Sequence, residues 1–388
     1  MPQAVIVDAV RTPVGRAFKG SLATLRPDET LAFVIDQLLE RNPGVDPASV
    51  EEVVAGCGLP QGLQANNIAR IAVLLSEKLG QETNGITVSR YCASGLDAIR
   101  AAANNVVAGQ GDVYIAGGVE FVSRYNAAQE AAHPEDQNEQ LQGKEPGQPD
   151  AYIAMGLTAE NVAEKWGVTR QAQDEYAQRS QERAVAAQAD GFFAREIVPV
   201  TLPDGTVVDK DDGPRADSTV ERLASLKPAF REDGTVTAGN ACPLNDGAAA
   251  ALIMSDTKAA ELGLKPRARI VTAATWGNEP EYMGVAPIGA IKKALDRAGL
   301  TIEDIDVVEL NEAFAAQVLP IAQECGIDMA KLNPHGGAIA LGHPFGMTGV
   351  RIMTTLLNDL ETMGGRYGIE TMCVAQGQGE AMIIERVS

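Results

Sequence analysis

Short apolar runs alternate with longer amphipathic stretches over the first third of the chain. AVIVDAV is apolar throughout and predicts a buried strand, turned by RTPVG. Residues 28–42 repeat apolar side chains at helical spacing, with Leu31, Val34, Ile35, Leu38 and Leu39 on one face. EEVVAGC predicts a second strand, and NNIARIAVLLSEKLG a helix capped by Asn66 and closed by Gly80. The strand ITVSR, a helix over about 94–108 and the strand DVYIAGG follow. Alternation of this kind predicts a mainly parallel sheet covered by helices.

From Val119 the pattern fades. NAAQEAAHPEDQNEQLQGKEPGQPDAY is polar, broken by Gly and Pro, and reads as an exposed excursion. TAENVAEKWG and TRQAQDEYAQRSQERAVAAQADG restore helical patterning, and EIVPVTLPDGTVV predicts a hairpin around Asp204-Gly205. AAAALIMSD then resumes as a buried strand, so the stretch reads as an insertion in the first α/β unit. The second half repeats the order of the first. ARIVTAATW is a strand, PIGAIKKALDRAG a helix from Pro287, DVVELN a strand, and EAFAAQVLPIAQECG a helix kinked at Pro320. GGAIALGHPFGMTG leads as a turn into the helix VRIMTTLLNDLETMG, and YGIETMCVA and EAMIIERV close the chain through a turn at Gly377–Gly379. The units expected are residues 1–118 plus 240–265, an inserted domain at 119–239, and a second half at 266–388. CASGLDAI and GHPFGMTG each precede the principal helix of their half. A pseudo-twofold would therefore bring two helix N-termini together.

Composition narrows the functional classes. A chain of 388 residues, 45% hydrophobic, can bury two or more packed units, and 39 glycines with 20 prolines fit a turn-rich α/β enzyme. The net charge of -20 argues against a nucleic-acid or anionic-membrane partner, though a small anionic substrate needs only a few local cations. MPQAVIVDAVRTP has no basic n-region and no long apolar run, so no secretory signal is expected. No stretch approaches the ~20 apolar residues of a membrane span. The five cysteines are far apart with no CxxC pair, which argues against a disulfide framework or a zinc site and for a reducing cytoplasm; no metal is expected.

Candidate chemistry lies at the turns. Cys92 ends a β-rich run and opens a small-residue helix, either as a buried spacer or as a nucleophile whose pKa the helix dipole lowers. His343, between Gly342 and Pro344, is a candidate general base, because a glycine-dense turn admits close ligand approach. Cys373 is a buried strand cysteine or lines a site rim, where the strand gives way to a Gly-rich turn. Asn311 reads locally as a helix N-cap. His335 beside its Gly-Gly turn reads as positioning backbone, and His133 as solvated. DKDDG places Gly213 where a calcium ligand would be needed, so it reads as an acidic loop. No GxxxxGK[ST], GxGxxG or HExxH occurs, which argues against nucleotide, dinucleotide and zinc-peptidase chemistry.

Taken in order, CASG at Cys92, GNACPLNDGAAA, NEAFA, GGAIALGHPFGMTG and the turn after Cys373 resemble the motifs of the thiolase family, the acetyl-CoA acyltransferases, nearly end to end. The resemblance implies an α/β fold with a five-layered α/β/α/β/α core of two β-α-β-α-β-α-β-β halves and an inserted loop domain. It implies Cys92 as acyl-accepting nucleophile, His343 as its base, Cys373 as the acid/base at the acetyl-CoA α-carbon and Asn311 as holder of a catalytic water. The backbone N–H groups of Cys92 and Ala375 would form an oxyanion hole. CoA and substrate contacts are implied at Arg215, Phe230, Ala238, Cys242, Met155, Met283 and Phe314. Coenzyme A would be a co-substrate, with no permanently bound cofactor, alongside 3-ketoacyl-CoA and acetyl-CoA. Relatives of this kind are homodimers or homotetramers.

Three departures stand out. Cys-Val-Ala-Gln-Gly-Gln-Gly replaces the family's C-x-G-G-G-x-G, so Gln376 could reshape the acyl pocket. Cys242-Pro243 replaces Ser-Gly, removing a hydroxyl. Ala154-Met155-Gly156 replaces the His-Met-Gly of the biosynthetic branch. The last favours the degradative reaction, ping-pong thiolysis of a 3-ketoacyl-CoA in fatty-acid or related β-oxidation, over the alternative condensation of two acetyl-CoA. The thiol of Cys373 argues against a decarboxylating condensing enzyme. Retention of Cys92, His343 and Cys373 together argues against an inactive binding protein.

Overall fold

The computed structural model describes residues 2–125, 135 and 137–387; His133 and part of the polar excursion lie outside them. Ten strands form one sheet. They are β1 (Ala4–Arg11), β2 (Gly15–Arg16), β3 (Glu52–Cys57), β4 (Asn84–Val88), β5 (Val113–Phe121), β8 (Asn245–Ser255), β9 (Ala268–Gly277), β10 (Val307–Leu310), β11 (Tyr367–Val374) and β12 (Gln378–Arg386). The order is β10-β11-β12-β9-β1-β8-β5-β3-β4, with β2 paired to β8. Two residue pairs, Val5↔Arg269 and Ile6↔Ala268, join the two halves. A separate ribbon of β6 (Val200–Thr201) and β7 (Val207–Val208) encloses Asp204-Gly205, with Gly205 at a φ of 86°.

The sheet is mixed rather than mainly parallel. Only β3-β4, β3-β5 and β10-β11 run parallel. After the insertion, β8 returns antiparallel between β1 and β5, and a tight turn folds β12 back on β11. All eleven residues of β8 are buried, as an Ala-rich central strand covered on both faces must be.

Helices set the layers. On one side of the first-half strands, α1 (Pro27–Arg41) and α2 (Ile68–Leu75) pack into one apolar core. Between the two halves lie α3 (Ser94–Val107) and, later in the chain, α11 (Phe345–Met363), which share a second core. The far side of the second half is covered by α8 (Pro287–Ala298) and α9 (Ala315–Cys325). The remaining helices are α4 (Met155–Trp166), α5 (Arg170–Ala189), α6 (Val220–Ala224), α7 (Asp256–Glu261) and α10 (Ala338–Leu341).

The two halves meet at glycine. A Cβ on Gly349 would lie 2.1 Å from the backbone nitrogen of Leu96, and one on Gly95 would lie 2.6 Å from the Gly346 carbonyl. No side chain larger than hydrogen fits there, so the first turns of α3 and α11 are in backbone contact. The juxtaposition expected from the repeat is present.

Three local expectations change. Helix α2 is capped by Asn67 and ends at Leu75, because Ser76 leaves the helical path. The Ser76 hydroxyl pairs with Asp36 and accepts the N–H of Leu79 at 2.9 Å, giving the following residues an alternative to helix. Helix α9 begins three residues after Glu312 and continues through Pro320, with Phe314 rather than Asn311 at its N-cap position. In DKDDG, Asp211 is buried, accepting two hydrogen bonds from the fully buried Arg11 at 2.7 and 2.9 Å. The acidic loop is thus an anchor for β1.

Candidate active site

Cys92 sits in a single 3-10 turn, Tyr91–Ala93, between β4 and α3. Tyr91 takes a φ of 44° to make the turn. The Ser94 hydroxyl closes it, accepting the Arg90 N–H at 2.8 Å and donating to the Tyr91 carbonyl at 2.7 Å. Arg90 also donates to the side-chain oxygen of Gln378 at 2.9 Å, tying the cysteine turn to the β11–β12 hairpin of the other half. That hairpin presents Ala375. The backbone N–H groups of Cys92 and Ala375 both act on the Cys92 sulfur, and Cys373 is close enough to raise its pKa.

His343 enters from the opposite helix, just before α11, and is buried. Gly342 precedes it at a φ of 106°, where a Cβ would strike Asn245. The Asn245 side-chain oxygen accepts the His343 backbone N–H at 2.9 Å. The ring is fixed at both nitrogens, with Nδ1 2.6 Å from the Thr348 hydroxyl and Nε2 3.3 Å from Asn311 Nδ2. Thr348 donates its own proton to the Pro344 carbonyl at 2.8 Å, so it accepts from Nδ1–H. This network assigns the tautomer with the proton on Nδ1, whose Nε2 lone pair accepts from the Asn311 side-chain N–H. Asn311 follows β10, its N–H bonded to the Thr371 carbonyl at 3.0 Å, two residues before Cys373. Its side-chain oxygen is buried and has no hydrogen-bond partner among the described residues.

Burial dominates the electrostatics. It pushes the Cys92 thiol above the ordinary cysteine range, reinforced by Cys373 and Glu120 and opposed by the two N–H groups. The lowering expected from the helix N-terminus is therefore outweighed. Cys373 is pushed up to about 12, by burial and then by Cys242. Burial, followed by the charge of Arg351, lowers His343 to about 3. The resting site holds neutral thiols beside a neutral imidazole. Near Cys92, Glu120 is fully buried, raised by burial to about 7 and held by the N–H groups of Gly58 (2.7 Å) and Gly346 (2.9 Å).

The remaining residues anticipated from sequence form two connected surfaces. Met283, Phe314 and Cys373 share an apolar cluster, with Met155 and Cys242 packed against it. Phe230, 44% exposed, meets Phe314 edge to face at 6.0 Å. It also lines a 490 Å³ cleft with Arg215, Ala238 and Cys242. Arg16 and Arg222 line the same cleft, the latter paired with Asp217, and with Arg215 leave it net cationic despite the acidic chain. A 670 Å³ cavity at Trp166, Tyr282 and Trp276 is larger, but no thiol or imidazole lines it. Gln376 is exposed, at a φ of 65°, so its side chain points away from the buried cluster. His335 is structural, stacked on Phe192 at 3.6 Å and bonded to Asp359. No group of three or more metal-ligating side chains converges among the described residues.

Sequence reasoning missed several supporting groups. Thr348 was available as the hydroxyl five residues beyond His343 in the same motif. Glu120, Gln317 and the Arg90–Gln378 bridge had no local signal, because each matters through a partner far away in the chain.

Two thiols and an imidazole come from both halves, and Cys242, packed against the cluster that holds Cys373, lines the cationic cleft beside them; the arrangement fits an acyl-transferring enzyme that works through thioesters. The thiolase N-terminal domain family matches residues 4–257, and the thiolase C-terminal domain family residues 264–386. A β-ketoadipyl-CoA thiolase of Acinetobacter baylyi is 48% identical, covering 100% of both chains. A 3-oxoadipyl-CoA/3-oxo-5,6-dehydrosuberyl-CoA thiolase of Escherichia coli is 45% identical with the same coverage. The crystal structure of the Bacillus anthracis acetyl-CoA acetyltransferase superposes with a TM-score of 0.92 at 41% identity, covering 100% of this chain and 99% of that one. This chain belongs to the thiolase family. It is an acyltransferase that cleaves 3-ketoacyl-CoA, with CoA as co-substrate.

The raised Cys92 thiol sets its labelling behaviour in the free enzyme. Iodoacetamide modification of Cys92, followed by peptide mass, should keep accelerating from about pH 7 to about pH 9 without a plateau, since an ordinary thiol titrates near ~8.5. A plateau near neutrality would show a thiolate held at rest.

Proposed function

We propose that Cys92 carries the acyl group, and the observation that carries this reading is the pair of backbone N–H groups, from Cys92 and Ala375, at its sulfur. His343 Nε2 takes the thiol proton as the sulfur attacks the keto carbon of the substrate. The two N–H groups stabilise the tetrahedral alkoxide; a donor of this kind contributes about 3 kcal/mol. As the alkoxide collapses, the bond between the α-carbon and the keto carbon breaks and its electron pair becomes an acetyl-CoA enolate. The imidazolium and a water held by the free Asn311 oxygen meet the enolate oxygen. The Cys373 thiol protonates the enolate carbon and is left as thiolate. A second CoA gives its thiol proton to the Cys373 thiolate and takes the acyl group from Cys92, whose sulfur recovers its proton from the His343 imidazolium, completing ping-pong turnover. The low pKa of His343 favours quick return of each proton that it accepts.

Residues 119–239 supply much of the CoA wall through Arg215, Phe230 and Ala238, with the arginines placed for phosphate. The acyl group is a short chain ending in a carboxylate, as in 3-oxoadipyl-CoA; the names and full-length identities of the relatives support this choice. Ala154, in place of the biosynthetic branch's histidine, supports the degradative direction. All five cysteines are free, which fits a cytoplasmic enzyme. No helix among the described residues is long and apolar enough to cross a membrane. The competing reading, acetoacetyl-CoA formation, has the Bacillus anthracis structure in its favour. Decay of the Mg-enolate absorbance separates the two: kcat/KM for 3-oxoadipyl-CoA should exceed that for acetoacetyl-CoA by about tenfold or more, ~1.4 kcal/mol. The reverse preference would select the biosynthetic reading.

The assembly is a homodimer or homotetramer. Strand β4 is the outer edge of the sheet and exposes 45% of Ile86, a surface that a second copy would cover. Light scattering should give two or four times the chain mass of 40.8 kDa; a monomer at micromolar concentration would overturn this.

A further inference from the structure

Cys373 is 2% exposed, and its sulfur donates to one side chain, the Gln317 Oε1 at 3.4 Å. Gln317 is the third residue of α9, is itself 2% exposed, and its Nε2 has no partner among the described residues. Its carboxamide lies against Gly284. A Cβ on Gly284 would fall 2.3 Å from Gln317 Cγ, Cδ and Nε2. The backbone at Gly284 is not in the left-handed region, so glycine is needed there for space rather than for conformation. The fold has thus cleared a position for this amide beside the thiol.

We propose that Gln317 is the positioning residue for Cys373, holding its sulfur toward the substrate α-carbon in both protonation states. This rests on the reading of Cys373 as the acid above. In the thiolysis direction the S–H proton moves to the enolate carbon, a C–H bond forms, and the S–H electron pair remains on sulfur as thiolate; the incoming CoA thiol restores the proton. A carboxamide fits both ends of that cycle. Oε1 accepts from S–H, and a half-turn of the amide lets Nε2 donate to the thiolate. A carboxylate could serve only the thiol, and an aliphatic side chain neither. The amide is uncharged, so it holds the sulfur without biasing the proton by a full charge.

The test compares two partial reactions in the full-length enzyme. Exchange of labelled CoA into an acyl-CoA needs Cys92 and His343 but no chemistry at the α-carbon. Wash-in of deuterium at the acetyl-CoA methyl needs Cys373. Gln317→Leu should lower wash-in and the kcat of thiolysis by about 100-fold, the usual scale of a general acid–base contribution. CoA exchange and KM for CoA should stay within about threefold. Gly284→Ala keeps the glutamine but displaces it, and should show the same selective loss, which covers the case in which Gln317→Leu does not fold. Cys373→Ala controls for the underlying reading. If it retains wash-in, Cys373 is not the acid and the proposal falls with that reading. If it loses wash-in while Gln317→Leu and Gly284→Ala keep it, or if those variants lose both reactions equally, the proposal alone is overturned.

Discussion

Backbone contact between α3 and α11 is the constraint on which the site depends. Gly95, Gly346 and Gly349 let the first turns of the two helices touch, and each turn has a candidate catalytic residue at its mouth: Cys92 before one, His343 before the other. Everything else positions groups around that contact. Glu120, at the end of β5, accepts N–H bonds from Gly58 and from Gly346, so one buried carboxylate ties the first half to the start of α11. Arg90 and Gln378 tie the cysteine turn to the hairpin that presents Ala375. Removing a member of this set would alter the meeting of two halves, not one side chain alone.

The electrostatic consequence is a site that rests uncharged. A helix N-terminus contributes a fraction of a unit charge and is worth ~0.3–1 kcal/mol at an exposed position. Withdrawal from water outweighs that contribution, raising both thiols and lowering the imidazole, although Cys92 itself is only partly buried. In the proposed mechanism charge appears only as the reaction proceeds, where fixed N–H groups, the imidazole and the asparagine would already face it. Such preorganised donors need no rearrangement when the alkoxide or enolate forms. Thr348 completes the arrangement by fixing which imidazole nitrogen carries the proton.

The element order was largely legible in the sequence, because the runs flanking Cys92 and those flanking His343 repeat the same apolar pattern. Strand direction was not, since β8 and β12 read as buried strands whichever way they run. Helix α2 was overextended because the apolar pattern continues past Ser76, and the Asp36 side chain that ends it comes from α1. Asn311 resembled a cap on local grounds, yet α9 starts at Ala315 and the asparagine turns toward His343 instead. The candidate site was legible through its motifs. Its support was not: Gln317, Glu120 and the Arg90–Gln378 bridge are defined by contacts across 56 to 288 residues of chain. The sign of the Cys92 shift was also out of reach, since burial of its sulfur depends on Cys373 and Ala375 arriving from the second half.

The central claim is that Cys92, rather than either neighbouring thiol, receives the acyl group. Rapid acid quench of the enzyme mixed with a 3-ketoacyl-CoA, without added CoA, followed by peptide mass analysis, tests it directly. One acyl adduct is expected, on the peptide containing Cys92, that disappears when CoA is added and is absent in Cys92→Ser. An adduct on Cys242 or Cys373, or an unmodified Cys92 during turnover, would contradict it.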